Sequence, residues 1–319
     1  MTITQSESSP LVAVVGATGV QGGSVIKALS ESDKPYRIRG FTRDSTKAVA
    51  ETLKKQGVQI TQVNLVLDNK EEVFKVFTGA DYAFLCTNYL EHMDGERELS
   101  EGKMMVDAAK AAGVKGIIWS GLAPVKKITG GKYSKVTHFD CKAQVSEYGR
   151  ASGIPFVEVQ AGFYATNLLG NVPPITKTPD GTYVLPLPVR PTAVMSVIDM
   201  EHDFGLYVRR VLELPVFPHG SVVCTTSEDI TMEELARQLS QVTGKKVVFK
   251  QVTAEEAVNI FVAVGFPSAV ATGLVEGLLF HDEFGFYGGQ PSASRENLAR
   301  PTRTFTEFAK GADWSKILA

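Results

Sequence analysis

The sequence predicts an α/β protein: a doubly wound parallel Rossmann sheet with a smaller, mostly helical C-terminal cap region. Three observations carry this reading. A short apolar run, Leu11 to Val15, leads into Gly16, Gly19 and Gly22 at G-x-x-G-x-x-G spacing, and a helical pattern follows. Strand-like and helix-like segments then alternate as far as Val159. Beyond Asn167 the rhythm breaks, and residues 170–191 hold six prolines.

Each element has its own signal. Leu11 to Val15 is short, apolar and followed by glycine, as a buried strand is. Val20 to Ser30 carries Val25, Ile26 and Leu29 at helical spacing. Tyr36 to Thr42 alternates polar and apolar residues, which suits a strand. A helix then runs to Gln56, and Val58 to Val63 forms the third strand. The short helix Glu71 to Phe77 precedes a fourth strand, Asp81 to Cys86. Glu96 to Ala112 has helical period and stops at Gly113, before a fifth strand, Val114 to Trp119. Ser134 to Ala151 reads as a long helix and Pro155 to Val159 as the sixth strand. Right-handed crossovers put every loop that follows a strand on one edge of the sheet, where ligands bind. The segments Gly16–Gly22, Thr42–Arg43, Thr87–Tyr89, Ser120–Leu122 and Gln160–Asn167 therefore converge.

The C-terminal part is irregular at first, with a strand near Tyr183 to Leu185. Ser196 to Leu212 reads as a helix that packs back on the sheet, and Val222 to Thr225 as another strand. Thr231 and Glu234 form a capping-box pattern before a helix that ends near Thr243. A strand at Lys246 to Gln251 and helices at Ala254–Ala263, Ser268–Phe284 and Arg303–Lys310 complete the chain. The expected division is a flexible N-terminus, 1–10, and a Rossmann dinucleotide-binding domain, 11–167, with 196–225 packing back on it. Residues 168–195 and 226–319 make the cap or substrate region.

Composition narrows the partners. The 33 Lys and Arg nearly balance the 35 Asp and Glu, for a net charge of -2, and no basic block stands out. No electrostatic footprint for direct nucleic-acid binding is present. Cys86, Cys141 and Cys224 form no C-x-x-C pair, which suits a reducing compartment. Cys86 and Cys224 lie in apolar runs and read as core thiols. The Ser-rich first ten residues lack signal- and transit-peptide features, and no apolar run reaches membrane-span length. The expectation is a cytoplasmic protein, with access to the nucleus left open and no membrane contact.

The glycine motif has a specific chemistry. Gly16 takes backbone angles closed to other residues. Gly19 lets a pyrophosphate approach the backbone, and Gly22 lets helix and strand pack closely. The helix start offers N–H groups to phosphate. A tight turn in an ordinary α/β protein is the bland alternative; the strand before it and the helix after it argue against that. The second strand ends Phe41, Thr42, Arg43 instead of in the carboxylate that holds an NAD ribose. Arg43 can face a 2′-phosphate with a planar fork of donors, and Lys47 adds charge, so NADP(H) is favoured. Asp44 is a rival partner for Arg43. Asn64 ends the third strand beside the adenine position, or is a turn residue. No Tyr-x-x-x-Lys is present; His138 stands four before Lys142 on one helix face. Those two are the candidate catalytic residues: Lys142 to hold the nicotinamide ribose, His138 to move protons, although a lone helical histidine is more often without chemistry. Tyr133 lies nearby, and Ser120 lines the site or ends a strand. No G-x-S-x-G elbow is present, and the five histidines are too far apart for a metal motif.

Taken together, the glycine loop Gly16 to Ser24, Phe41 to Arg43, Thr87 to Tyr89, Trp119 to Leu122, His138 to Lys142 and Asn167 to Leu169 resemble the NmrA-like family of atypical short-chain dehydrogenase/reductases. The resemblance spans nearly the whole chain and is nearest to the NADPH-sensing branch. It implies NADP(H) at Gly16, Thr18, Gly19, Val20, Gln21, Gly22 and Arg43, with Thr87, Asn88 and Tyr89 beside the nicotinamide half. Lys142, Tyr164 and Asn167 join the cofactor set on the same ground. Phe139 and Lys142 match the Phe-x-x-Lys of active relatives, whereas Gln160 and Gly162 stand where those relatives have Arg and Pro.

Two functional readings follow. In the first, the protein is a redox sensor that binds NADP(H) with little dehydrogenase activity, and occupancy changes its cap or its association with regulatory proteins or a second copy. In the second, it is an NADPH-dependent reductase of a carbonyl or activated double bond in a small molecule. The altered tyrosine favours the first, and Lys142 keeps the second open. The aromatic stretch Phe280 to Tyr287 either buries Phe280 and Phe284 under the cap or offers a partner surface.

Overall fold

The computed structural model describes residues 3–170 and 172–319. Its first half alternates strands and helices: β1 (Leu11–Val14), α1 (Val20–Ser30), β2 (Arg37–Thr42), α2 (Ala48–Lys55), β3 (Gln59–Gln62), α3 (Lys70–Val76), β4 (Tyr82–Leu85), α4 (Gly95–Ala111), β5 (Gly116–Gly121), α5 (Val125–Ile128), α6 (Thr137–Ala151) and β6 (Phe156–Gln160). These six strands and β11 (Val222–Cys224) form one seven-stranded sheet in the order β11-β6-β5-β4-β1-β2-β3. Every pairing in it is parallel.

Alternation along β1 shows why the sheet carries helices on both faces. Val12 and Val14 point into one apolar layer with Val25, Ile26 and Leu29 of α1. Ala13 and Val15 point into the opposite layer with Met105, Ala109 and Val145 of α4 and α6. A strand buried on both faces is apolar almost throughout, as β1 is, and as β5 is apart from Ser120. Strand order reverses between β1 and β4, so a crevice opens there beyond the C-terminal strand ends.

The rest of the chain comprises β7 (Phe163–Tyr164), β8 (Thr176–Lys177), β9 (Tyr183–Leu187), β10 (Val194–Ile198), α7 (Gly205–Glu213), β12 (Glu228–Thr231), α8 (Met232–Thr243), β13 (Val247–Gln251), α9 (Ala254–Ala263), α10 (Ser268–Phe284) and α11 (Phe305–Gly311). The cap is mostly helical, as expected, with α8 to α11, and it also holds two three-stranded sheets, β12-β10-β7 and β13-β9-β8. The helix expected over Ser196 to Leu212 starts late. Val194 to Ile198 is strand, paired with β12 and β7, and a short wide helical turn, Met200–Phe204, leads into α7. Tertiary pairing overrode local pattern there: Met195 and Val197 bury one face of β10 in the cap core.

Of the segment expected to be flexible, Met1 and Thr2 lie outside the described residues. From Ile3 it is pinned: Ile3 bridges Tyr36, the Thr4 N–H donates to the Tyr36 carbonyl at 3.0 Å, and Gln5 Nε2 donates to the Gly57 carbonyl at 2.7 Å. Among the described residues no helix is long and apolar enough to cross a membrane.

Candidate cofactor and active site

The chain leaves β1 and turns at Gly16, whose φ of 68° lies in the left-handed region that favours glycine. The Gly19 N–H closes the turn on the Gly16 carbonyl at 2.8 Å. Helix α1 begins at Val20 with no side-chain cap, so its first N–H groups remain available to an anion. A Cβ on Gly22 would lie 2.2 Å from the Gly16 carbonyl oxygen, which is overlap with backbone. A Cβ on Gly19 would meet only that same oxygen, at 3.3 Å, and otherwise opens into the crevice.

The crevice is a cleft of about 590 Å³. Gly16, Thr18, Gly19, Val20, Gln21 and Gly22 form its floor; Arg43, Lys47 and Asn64 lie at one end, and Cys86, Thr87, Asn88 and Tyr164 at the other. Gln21 Nε2 donates to the Tyr164 hydroxyl at 2.5 Å, while Gln21 Oε1 is buried with no partner. A buried unmade hydrogen bond costs about 1–3 kcal/mol, so the site is built for a further donor. Uncapped helix start, bare Gly19 and two cations fit the phosphates of a dinucleotide, and the Gln21 amide oxygen fits a hydroxyl or amide N–H of the same ligand.

At the cationic end, Asp44 does not take Arg43. Its Oδ1 accepts from the N–H and hydroxyl of Thr46 at 2.9 and 2.6 Å, and these bonds hold its carboxyl below the ordinary range. Arg43 instead pairs with Glu91, a residue the sequence had not singled out. Lys47 is the extended residue before α2.

Tyr89, Lys142 and Asn167 are not on the cleft wall. Lys142 stands behind Thr87: its Nζ donates to the Thr87 carbonyl at 3.1 Å, to Thr87 Oγ1 at 2.7 Å and to Glu98 Oε1 at 2.9 Å. That uses all three ammonium protons. The Thr87 hydroxyl donates to Glu98 Oε1 at 2.5 Å, and Cys141 Sγ to Glu98 Oε2 at 2.8 Å. Glu98 is fully buried. Burial pushes its pKa up, but the Lys142 charge and the hydrogen bonds from Cys141, Thr87 and Lys142 outweigh this and hold it below the ordinary value. Glu98 was legible in principle: it shares the buried phase of α4 with Gly102, Met105 and Ala109, where a carboxylate is out of place.

His138 also sits behind the wall. It is half-buried, tilted against Tyr89 with ring centres 5.6 Å apart and edge-on to Phe139 at 4.9 Å. Burial pushes its pKa down to about 4, so the imidazole is neutral near pH 7. Tyr133 turns toward the cap and donates to Glu283 at 2.7 Å. Asn167 ends a short helical turn, and its carbonyl accepts from the Val172 N–H at 2.9 Å. Ser120 is buried within β5. Cys86 is a correction: it is half-buried and lines the cleft under Gly16, whereas Cys224 is a core thiol as expected. Phe280 and Tyr287 are buried, and Phe284 stacks on Phe280, so that stretch is mainly cap packing.

A seven-stranded parallel Rossmann-like sheet with a nucleotide-sized cleft at its switch point defines a protein of the dinucleotide-binding fold class. The NmrA-like family profile matches residues 8–309, and the chain belongs to that family. It is 31% identical to the NmrA-like family domain-containing oxidoreductase malD of Malbranchea aurantiaca over 251 residues, 74% of each chain. Among solved structures it resembles Nmra, a negative transcriptional regulator, with a TM-score of 0.77, 24% identity and coverage of 97% of this chain and 100% of that one. Other structures of that regulator hold NAD or NADP. It also resembles the NADPH-dependent quinone oxidoreductase QOR2 of Escherichia coli, complexed with NADPH, with a TM-score of 0.74, 22% identity and coverage of 94% and 99%.

Proposed function

We propose that this protein is an NADP(H)-dependent oxidoreductase that reduces a carbonyl or activated double bond of a small molecule. In this reading the glycine loop and the first N–H groups of α1, that of Gln21 among them, hold the pyrophosphate, Arg43 and Lys47 the 2′-phosphate, and Asn64 the adenine side. Thr87, Asn88 and Tyr164 shape the nicotinamide half, with Tyr89, Lys142 and Asn167 behind them. Bound NADPH supplies a hydride. The chain's own residues supply the proton: the Thr87 hydroxyl, turned from Glu98 toward the cleft, would give its proton to the substrate as Lys142 Nζ replaces it on Oγ1, leaving a neutral lysine beside the Glu98 carboxylate.

The observation that carries this is the Glu98–Lys142 pair, whose side chains are 0% and 12% exposed. A buried ion pair is often no more stabilising than apolar residues of the same volume. Kept beside a cofactor cleft, it is a functional arrangement by the logic of perturbed titratable groups. The oxidoreductase malD and the NADPH-dependent quinone oxidoreductase add weight. The sensor reading is favoured by one fact, that no ammonium proton of Lys142 is left over for a ribose.

The test is NADPH oxidation at 340 nm with a panel of quinones, aldehydes and ketones. Turnover above about 1 s⁻¹, the ordinary enzyme range, that drops at least about 100-fold in Lys142→Met supports the reductase. Firm NADPH binding with background turnover across the panel supports the sensor.

A further inference from the structure

The ion pair between Arg43 and Glu91 joins two loops that are 48 residues apart in sequence and both line the cleft. Arg43 follows β2; Glu91 closes the short helical turn Tyr89–Glu91 after β4. The nearer carboxylate, Asp44, is spent on Thr46, and the other guanidinium lining the cleft, Arg97, is engaged by Glu101 at 2.8 Å. Arg43 is thus matched with one anion, and that anion belongs to the protein. A guanidinium offers carboxylate and phosphate the same planar fork.

From this geometry we infer that Glu91 is a specificity-determining residue. Its carboxylate occupies Arg43 in place of a nucleotide 2′-phosphate and must be displaced before the phosphorylated cofactor seats. The inference rests on the assignment of the cleft to NADP(H). An unphosphorylated ribose offers Arg43 only hydroxyls and leaves the pair intact. A phosphate brings between one and two negative charges, competes for the fork and is repelled by Glu91. Glu91 therefore narrows the preference that Arg43 and Lys47 create.

The pair is weak enough to yield. Its side chains are 62% and 45% exposed, and exposed pairs seldom alter an equilibrium more than about fivefold. The loop can also move locally. Its ends are held by Thr87 on Lys142 and by Asp94, whose carboxylate caps α4, while Met93 between them has a φ of 54°, a strained conformation for a residue with a side chain.

The experiment is calorimetric titration of the full chain with NADPH, NADH, 2′,5′-ADP and 5′-ADP. Parent, Glu91→Gln, Arg43→Gln and the double variant are compared. Glu91→Gln is expected to tighten NADPH and 2′,5′-ADP by about fivefold and to leave NADH and 5′-ADP unchanged. In the Arg43→Gln background the same change should have a smaller effect, the relief of direct repulsion alone. An equal shift for both cofactor types, no shift, or weaker NADPH binding would overturn the inference alone. A parent that takes up neither dinucleotide would overturn the cofactor assignment, and the inference with it.

Discussion

Lys142 Nζ lies 2.9 Å from Glu98 Oε1, one layer behind the cleft, and the carboxylate has no exposed surface. The two come from α6 and α4, which pack against each other on one face of the sheet. Removing one partner leaves the other charge buried. Glu98→Ala is expected to lose about 3 kcal/mol of unfolding free energy, the lower end for a broken buried pair, because Lys142 keeps slight solvent access. Glu98→Leu combined with Lys142→Met should recover most of that loss. Urea unfolding of the three variants checks this; equal instability of single and double variants would show the groups to be uncoupled.

The glycine loop makes a second, dissociable prediction. Gly22→Ala forces a Cβ to 2.2 Å from the Gly16 carbonyl oxygen, so the fold itself should suffer. Gly19→Val meets only that oxygen from the protein, at 3.3 Å, and otherwise fills the cleft. Thermal unfolding should report a clear drop in Tm for Gly22→Ala and little change for Gly19→Val. NADPH titration should then find no binding to the folded Gly19→Val chain. Retained affinity there would reduce the loop to a turn.

Arg43 carries the third prediction. Arg43→Ala should weaken NADPH tenfold or more, since a hydrogen bond to a charged group is worth roughly 1.5–3 kcal/mol. NADH should change little. The measured loss understates the contact, because the parent must first break Arg43 away from Glu91. Parallel titrations of both cofactors check it, and a parent with equal affinities would remove Arg43 from the argument.

Local signals in this chain were legible where one element supplied them. The run Leu11 to Val15 and its glycines define β1, the turn and α1 without help from elsewhere, and the α10 pattern gave Ser268–Phe284. Ser196 to Ile198 was hidden because the helical phase of Phe204, Tyr207, Val208 and Val211 reads backward into it; only pairing with the distant β12 and β7 makes it strand. Cys86 was read as core because apolar residues precede it, but the strand ends at Leu85 and the next side chain faces the cleft. The partner of Arg43 was invisible for a related reason: Asp44 is adjacent in sequence, yet an Asx turn on Thr46 takes it, and Glu91 arrives from another loop. Side-chain pairing between loops depends on the assembled sheet, which no local window contains.

His281 offers a prediction about pH. It lies in α10, 8% exposed, stacked on Phe286 with ring centres 4.2 Å apart, and its Nδ1 is 3.1 Å from the Phe286 carbonyl, which accepts its proton. Burial pushes its pKa down from 6.5 to about 3, the Phe286 bond opposes this, and His138 adds to it. As pH falls below 6.5 the unfolded chain therefore takes up a proton that the folded chain refuses. More protons on the unfolded state means stability that falls with pH, by up to about 1.4 kcal/mol per unit. Full stability holds above pH 6.5 and is lost progressively down to about pH 3. Between pH 6.5 and 5, above most carboxylate titrations, His281 alone should account for up to about 2 kcal/mol. His138, also depressed, adds a change of the same sign that is smaller because it is half-buried. His281→Asn keeps an N–H near the Phe286 carbonyl and cannot titrate, so its urea midpoint should fall less over that interval. Its absolute stability at pH 7 should drop, because the stack on Phe286 is gone. NADPH affinity should not change, since His281 does not line the cleft. Parallel pH profiles for parent and variant would show that the folded imidazole protonates near its ordinary pH, with the cap opening to admit the charge.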